Sequence, residues 1–318
     1  MPGLRLIIAV SLLLASAAAG AQSYPQRPVR MIAVAAGSGP DVIARMLGAK
    51  FAERMGQQFY VENRPGAGGN VGAEFVARAA PDGHTLLMGS ASQAISMTLF
   101  PKLGYDLMRD FNPVSMISTA PFVLVVHPSL PVRSVRELIA LAKSSRGKLL
   151  YSSGGAGTPP HLSSQMLKSV TGIDFIHVPY KGIMPAINDL VGGHVHFSIG
   201  VTTAVLPLVQ SKRLRGLGVT SATRSALAPE MPTIGETIKG FEVIGWYGLF
   251  APAATPAPVI TRLYQETQHA IAQPDVVERL LAVGSEPQVM TPAAFSTFVQ
   301  SEIRKWGNAV KDSNARPD

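Results

Sequence analysis

The stretch VRMIAVAAGSGPDVIARMLGAKF, residues 29–51, decides the architecture of the chain. Residues 29–35 are apolar apart from Arg30, which predicts a buried strand. Glycine and proline in residues 37–41 end that strand. Apolar side chains then return at helical spacing over residues 42–51, which predicts a helix with one buried face. The stretch therefore predicts one strand–loop–helix unit.

The same order of elements continues along the chain after this unit. Residues 59–62 are predicted as a second short strand and residues 70–80 as a helix. A Pro-Asp-Gly turn then leads to a third predicted strand at residues 85–88. Strands that alternate with helices at this spacing predict a parallel α/β arrangement.

A second unit of the same kind follows a predicted strand at residues 122–126. Residues 134–137 form a capping box for one helix, and a strand is predicted at residues 149–152. Thr158 and Pro159 are suited to the start of the next helix. The chain beyond residue 250 is predicted to be mostly helical. Two α/β units followed by this helical segment predict two lobes with a cleft between them.

Composition excludes several classes of protein. The 318 residues are 47% hydrophobic, which provides for a full core and excludes a disordered chain. The chain has no cysteine, so a disulfide scaffold and a thiolate zinc site are excluded. The net charge is +8, but no basic run exceeds Lys212-Arg213 and only 7% of residues are aromatic. We therefore expect no nucleic-acid partner and retain only a general attraction for anions.

The first residues predict export. Arg5 precedes an apolar run over residues 6–19, and residues 19–21 are Ala-Gly-Ala, a small-residue cleavage site. This run is shorter than the roughly 20 apolar residues that cross a bilayer. We therefore expect a signal peptide at residues 1–21, cleavage before Gln22 and a periplasmic mature chain.

Two glycine-rich loops, residues 36–41 and 152–158, each lie between a predicted strand and a predicted helix. Glycines let the backbone approach a ligand, and a helix start offers unpaired N–H groups with a partial positive charge. Either loop would suit a carboxylate or phosphate, and two facing loops would suit a ligand with two polar ends. The alternative is that both loops are ordinary connections. The candidate ligand-binding residues are Gly37, Ser38, Gly39 and Asp41 in the first loop, and Ser153, Gly157 and Thr158 in the second.

Three other patterns do not predict a separate activity. The glycines of residues 66–72 have a spacing similar to that of dinucleotide sites, but they are separated from their strand and are interpreted as a loop beside the cleft. His194 and His196 have no obvious third ligand nearby, so no metal is expected. His161 would be a base toward Ser153 in an exported hydrolase, although packing or helix support is the favoured role. We expect no cofactor and no enzymatic activity.

Several segments together resemble the Bug/TctC family, the extracytoplasmic solute-binding proteins associated with tripartite tricarboxylate transporters. The matching segments lie in order along nearly the whole mature chain. They are VENRPGAGGN (61–70), APDG (80–83), SSG (152–154), GTPPHL (157–162), HVPYKG (177–182) and GWYGLFAP (245–252).

The resemblance implies an α/β, two-lobed periplasmic binding protein of type II. In this arrangement each lobe is a mostly parallel sheet flanked by helices, crossing strands join the lobes, and the ligand cleft lies between them. We expect residues 22–124 and 234–318 to form lobe 1 and residues 125–233 to form lobe 2. In the family, backbone amides and hydroxyls of two loops hold the ligand carboxylate, and these match the two glycine-rich loops here. Ser92 and Tyr180 are further expected contacts.

The function implied by the resemblance is capture of a small carboxylate and its delivery to a membrane transporter. The carboxylate would be a di- or tricarboxylate, an acidic amino acid or an aromatic acid. The alternative is a ligand-loaded partner of a membrane sensor, and a monomer is expected in both cases. An exported hydrolase would be a third class.

The chain departs from the family pattern at two places. Ala35-Ala36 stand where the family commonly has prolines, so the first loop is expected to sit differently. His196 stands where the family commonly has Asp. If residue 196 faces the cleft, histidine in place of an acid would favour a more acidic ligand.

Overall fold

A computed structural model describes residues 24–145 and 147–317. The predicted signal peptide at residues 1–21 lies outside the described residues. Among the residues described, no helix is both long enough and apolar enough to cross a membrane.

The first half of the fold is built from strand–helix units that end in one long strand. The strand β1 and the helix α1 are the unit predicted from residues 29–51, and their connection contains the first glycine-rich loop. The elements are β1 (Val29–Ala33), α1 (Gly39–Met55), β2 (Phe59–Asn63), a 3-10 turn (Ala67–Gly69), α2 (Asn70–Ala77), β3 (Thr85–Ser90), α3 (Ala91–Leu99) and β4 (Phe111–Val126).

The second half repeats the strand–helix order and then returns to the first sheet. Its elements are α4 (Val135–Ser144), β5 (Leu150–Ser153), α5 (Pro159–Thr171), β6 (Ile176–Pro179), α6 (Ile183–Val191), β7 (Phe197–Val201), α7 (Thr202–Gln210), β8 (Arg215–Val219) and a 3-10 turn (Ile234–Glu236). The return consists of β9 (Ile244–Pro252), α8 (Ala257–Ile271), α9 (Pro274–Ala282), β10 (Glu286–Pro287) and α10 (Pro292–Ser313).

The strands form one continuous sheet in the order β2-β1-β3-β9-β4-β7-β5-β6. We call β2, β1 and β3 with their helices lobe 1, and β5 to β8 with their helices lobe 2. The strand β4 belongs to both, because residues 111–121 pair with β9 whereas residues 122–126 pair with β7 and β8. The strands β4 and β9 are therefore the crossing strands.

The prediction of a two-lobed α/β fold with a mostly parallel sheet in each lobe is confirmed, and the whole sheet is mixed because the crossing strands are antiparallel to their neighbours. Pairing is parallel inside the strand–helix units, between β1 and β2, β1 and β3, β5 and β6, and β5 and β7. Each pair that involves β4 or β9 is antiparallel. The physical reason is that crossing strands carry the chain from one lobe to the other and back, so they run in opposite directions.

The main core joins the two lobes rather than filling each one separately. It contains Tyr151 and Phe197 of lobe 2 together with Phe250 and Trp246 of β9 and Trp306 of α10, all at most 1% exposed. The helix α10 packs against α3 of lobe 1 and α5 of lobe 2. The last helix therefore bridges the lobes.

Candidate ligand-binding cleft

A cavity of about 790 Å³ lies between the lobes. Residues 37–40 of lobe 1, residues 159–160 and 201–203 of lobe 2, and residues 120–122 and 245–247 of the crossing strands line it. A second cavity of about 610 Å³ adjoins it and shares Gly68, Ser92 and Pro159 with the first. The two cavities form one cleft with walls from both lobes.

Helix starts, and not charged side chains, line the larger cavity. The first residues of the helices α1, α3, α5, α6 and α7 line the larger cavity, and only α9 ends there. A helix start carries unpaired N–H groups and about half a positive charge, although α5 begins with Pro159-Pro160 and lacks the first two of these groups. None of the residues that line this cavity is Asp, Glu, Lys, Arg or His. The cleft is therefore suited to an anion bound by backbone amides and hydroxyls.

The first glycine-rich loop is a tight turn held by Asp41. Gly37 has a φ of +74°, and its N–H donates to Asp41 Oδ2 at 2.9 Å. The Ser38 hydroxyl donates to the Ala35 carbonyl at 2.6 Å. Burial would raise the pKa of Asp41, but hydrogen bonds from Arg45, Asn63 and the Gly37 N–H lower it overall. Asp41 is therefore an internal acceptor that shapes the loop.

The second glycine-rich loop repeats this turn with a different acceptor. Gly157 has a φ of +71°, and its N–H donates to His161 Nδ1 at 3.1 Å. The Thr158 hydroxyl donates to the Gly155 carbonyl at 2.8 Å. Burial lowers the pKa of His161 to about 4, and the adjacent His177 lowers it further. His161 is therefore a neutral acceptor at the position that corresponds to the negatively charged Asp41.

The structure brings six of the ten predicted site residues to the cleft. Gly37, Ser38, Gly39 and Ser92 line the larger cavity, and Ser92, Gly157 and Thr158 line the adjoining one. The N–H groups of Gly37 and Gly157 are already bound to side chains four residues later. The helix-start donor for a ligand in the first loop is therefore further along the chain, at Gly39.

The other four predicted residues do not line either cavity. Asp41 is 3% exposed and holds its own loop. The Tyr180 hydroxyl donates to Asp189 Oδ2 at 2.5 Å on lobe 2. Ser153 is fully buried, and its hydroxyl bonds His177 Nε2 at 2.7 Å and the Gly155 carbonyl at 3.2 Å. Ser153 therefore positions the second loop, with His177 as its imidazole partner instead of His161.

His196 is placed at the wrong end of its strand to contact a ligand. It directly precedes β7, whose last residue, Val201, lines the larger cavity. At about 3.3 Å per residue, His196 lies roughly 16 Å along the strand from Val201. Its Nδ1 accepts the Leu150 N–H at 2.8 Å. The condition of the hypothesis, that residue 196 faces the cleft and so affects ligand preference, is therefore not met in this structure.

The histidines of lobe 2 also provide no metal site. His161 and His177 are stacked, with ring centroids 4.3 Å apart, and His161 Nδ1 accepts the Gly157 N–H. Within residues 24–145 and 147–317, no group of three or more His, Cys, Asp or Glu side chains is arranged to hold a metal ion.

The contribution of the crossing strands to the site was not predicted from the sequence. Pro121 and Phe122 of β4 and Trp246 and Tyr247 of β9 line the cavity. The Trp246 indole N–H donates to the buried Glu302 of α10 at 3.0 Å. The segment GWYGLFAP carried part of the family resemblance, but no local pattern in it indicates that its aromatic side chains reach a cleft.

The fold and the cleft together define a two-lobed solute-binding protein. The family model described as "Tripartite tricarboxylate transporter family receptor" matches residues 43–315. The chain belongs to this family, which confirms the Bug/TctC resemblance. Because this is a family of solute receptors and not of enzymes, the prediction of no enzymatic activity is also confirmed, and the hydrolase alternative is excluded.

Individual relatives are similar along almost their whole length. The protein BugT of Bordetella pertussis is 34% identical over 320 residues, which cover 98% of this chain and 98% of BugT. A solved structure of R. palustris Rpa4515 with adipate has a TM-score of 0.77 at 33% identity and covers 93% of this chain and 100% of that one. The periplasmic binding protein BugD has a TM-score of 0.74 at 33% identity, over 92% and 99% of the two chains.

Proposed function

We propose that this protein is a periplasmic carrier that captures a small carboxylate in the cleft and delivers it to a tripartite membrane transporter. The observation that carries the proposal is the cavity at which five helices begin and whose lining contains no charged side chain. Fixed N–H dipoles in such a cavity favour an anion over a neutral or cationic ligand. The adipate in the similar Rpa4515 structure supports a carboxylate as that anion.

Capture is proposed to proceed by closure of the two lobes about β4 and β9. The lobes that move would be residues 22–124 with 234–318, and residues 125–233. Support comes from the pairing of β4, which changes partner from β9 to β7 and β8 after residue 121. Hinge closure around a ligand is a general mode of periplasmic binding proteins. The N-terminal segment, with its apolar run and Ala-Gly-Ala site, supports export to the periplasm.

The proposal is tested by binding measurements on mature protein that has been unfolded and refolded to remove bound ligand. The panel contains succinate, malate, adipate, citrate, glutamate, benzoate and terephthalate, with putrescine as a cationic control. A ligand at 100 times its dissociation constant adds about 2.7 kcal/mol of stability, which a thermal shift detects. A response to at least one acid and none to putrescine is expected. A response to putrescine without any acid would contradict the proposal.

A blocked-cleft variant checks that the acid binds between the lobes. Ser92→Trp places a large side chain where the two cavities join, and we expect it to abolish the response. The matched control is Val71→Trp, at a position that is 48% exposed on lobe 1, and this variant should bind as the wild type does. Equal binding by both variants would place the ligand elsewhere.

The second candidate is a ligand-loaded partner of a membrane sensor. Both roles use the closed protein, so ligand binding does not separate them. Saturable binding of the loaded protein to the large and small transporter subunits in lipid nanodiscs would support transport. Binding to a sensor ectodomain without binding to those subunits would favour signalling.

A further inference from the structure

The phenol of Tyr247 has an unusual position in the cleft. Tyr247 lies on β9 between Ser90 of β3 and Ser118 of β4. It lines the larger cavity and is the most exposed residue of β9. A Cβ at Gly39 would lie 2.7 Å from the Tyr247 Cζ, so the absence of a side chain at Gly39 makes room for the ring. The phenol therefore sits directly against the start of α1.

The Tyr247 hydroxyl makes no hydrogen bond to any residue that the structure describes, unlike the hydroxyls of Tyr24, Tyr105 and Tyr151. The hydroxyl of Tyr24 donates to the Gly83 carbonyl at 2.7 Å. The hydroxyl of Tyr105 donates to Asn70 at 2.8 Å, and that of Tyr151 accepts from Gln165 at 2.8 Å. The cleft provides the direction from which a partner for Tyr247 can come.

The phenol is a donor at any physiological pH. Burial raises the pKa of Tyr247 above its ordinary value of 10.0, so the hydroxyl keeps its proton and carries no charge. A neutral O–H donates readily to a carboxylate, and hydrogen bonds to a charged group are stronger than neutral ones.

The two glycine-rich loops differ in a way that makes this extra donor useful. At the second loop, the helix start is Pro159-Pro160, which has no N–H groups to offer. At the first loop, the corresponding residues are Gly39-Pro40, so the Gly39 N–H remains a helix-start donor. The Asp41 carboxylate beside this first loop is paired with Arg45 at 2.9 Å and accepts the Gly37 N–H. A second donor beside the Gly39 N–H would allow two hydrogen bonds to one carboxylate end, and the Tyr247 hydroxyl lies next to Gly39.

We propose that Tyr247 is a ligand-binding residue that donates its phenolic hydrogen to a carboxylate oxygen of the cargo, with the Gly39 N–H as the neighbouring donor. The proposal rests on the proposed function and names the part of the cleft where one carboxylate end is held. Two of the other hydroxyls that line the cavity are already bound within the protein, since Ser38 donates to Ala35 and Thr202 to Pro121. The phenol is held in place by its packing against the lobe 1 core.

The test compares Tyr247→Phe with Tyr264→Phe by calorimetric titration of the acid that the wild type binds most tightly in the panel above. Both tyrosines are half-buried and pack on the same core, but Tyr264 on α8 does not line the cleft. Loss of a hydrogen bond to a carboxylate, worth about 1.5–3 kcal/mol, should weaken binding by Tyr247→Phe roughly 10- to 100-fold. Tyr264→Phe should bind as the wild type does, and the unliganded melting temperatures of all three proteins should agree.

Two results would overturn the proposal. One is an unchanged dissociation constant in Tyr247→Phe, and the other is an equal loss in Tyr264→Phe. If the wild type bound no acid of the panel, the proposed function itself would fail, which is a distinct outcome.

A measurement on the wild type covers the case in which Tyr247→Phe does not fold. In protein labelled with ¹³C at tyrosine Cζ, saturation with the same acid should shift the Tyr247 resonance and leave that of Tyr264 in place. A shift of neither resonance on saturation would also overturn the proposal.

Discussion

Replacement of Glu302 tests how the last helix supports the wall of the cleft. Glu302 on α10 is 2% exposed. Its Oε2 accepts the indole N–H of Trp246 at 3.0 Å and that of Trp306 at 2.9 Å, and its other oxygen pairs with Lys305. Because Trp246 lines the larger cavity, one buried carboxylate connects α10 with the crossing strand β9.

The expected change in the free energy of unfolding depends on which hydrogen-bond donors each substitution leaves without an acceptor. Glu302→Leu leaves two buried indole N–H groups without an acceptor, at about 1–3 kcal/mol each, so the free energy of unfolding should fall by about 2–6 kcal/mol. Glu302→Gln keeps an amide oxygen for the indoles and loses the charge, so the loss should be about 1–3 kcal/mol. The order of stability should be wild type, then glutamine, then leucine.

The assay is urea unfolding followed by far-ultraviolet circular dichroism, because tryptophan fluorescence would itself respond to loss of the carboxylate. The control is Glu278→Gln at an exposed position of α9, where a change within about 0.5 kcal/mol is expected. A Glu302→Leu protein within about 0.5 kcal/mol of the wild type would refute the reasoning. So would a leucine variant more stable than the glutamine variant.

Two further predictions concern the second glycine-rich loop. The pKa of His161 is about 4 when folded, against 6.5 as its ordinary value, so the unfolded chain binds more protons between those pH values. Stability should therefore fall by up to about 3 kcal/mol as the pH drops from 6.5 to 4. His161→Asn keeps an acceptor for Gly157 and cannot titrate, so its melting temperature should fall less over that interval; an identical fall would contradict the assignment. Gly157→Ala should lower the free energy of unfolding by about 1–2 kcal/mol, because alanine is strained at the positive φ of this position. It should also weaken acid binding, because the new Cβ would lie 2.6 Å from Leu99 Cδ2 of lobe 1. The control is Gly172→Ala, at a φ of +65° with open space around it, which should lose stability without losing affinity for the acid. Affinities are compared by calorimetric titration, and equal affinities of the two variants would contradict a contact between the lobes at Gly157.

Much of the fold was predictable because its strand–helix units follow local rules. The strand β1 and the helix α1 were expected from residues 29–51, and β5, its glycine-rich loop and α5 were expected from the second unit. The helices α3 and α7 were not predicted, nor was the full length of β4. The expected strand at residues 122–126 is only the end of β4 (Phe111–Val126). Its earlier part is also buried, but it contains Pro113 and Ser115 and resembles an irregular segment.

The candidate site was predictable where it depends on the backbone and not where it depends on distant packing. Glycines before a helix start indicate an anion loop wherever they occur, and Gly37, Ser38, Gly39, Gly157 and Thr158 do reach the cleft. The favoured role of His161 as support for its helix start is confirmed by the hydrogen bond that it accepts from Gly157. The alternative in which His161 pairs with Ser153 was wrong, because strand pairing brings His177 of β6 beside β5.

The sequence by itself determined the α/β class, the two glycine-rich loops and the family, because each depends on residues that are close together along the chain. Only the tertiary structure decided which side chains face the ligand. His196 directly precedes β7 and Val201 is its last residue, five positions later, yet only Val201 lines the cavity. Tyr247 meets Gly39 although more than two hundred residues separate them. Antiparallel crossing strands bring such distant segments together, and no local pattern encodes that contact.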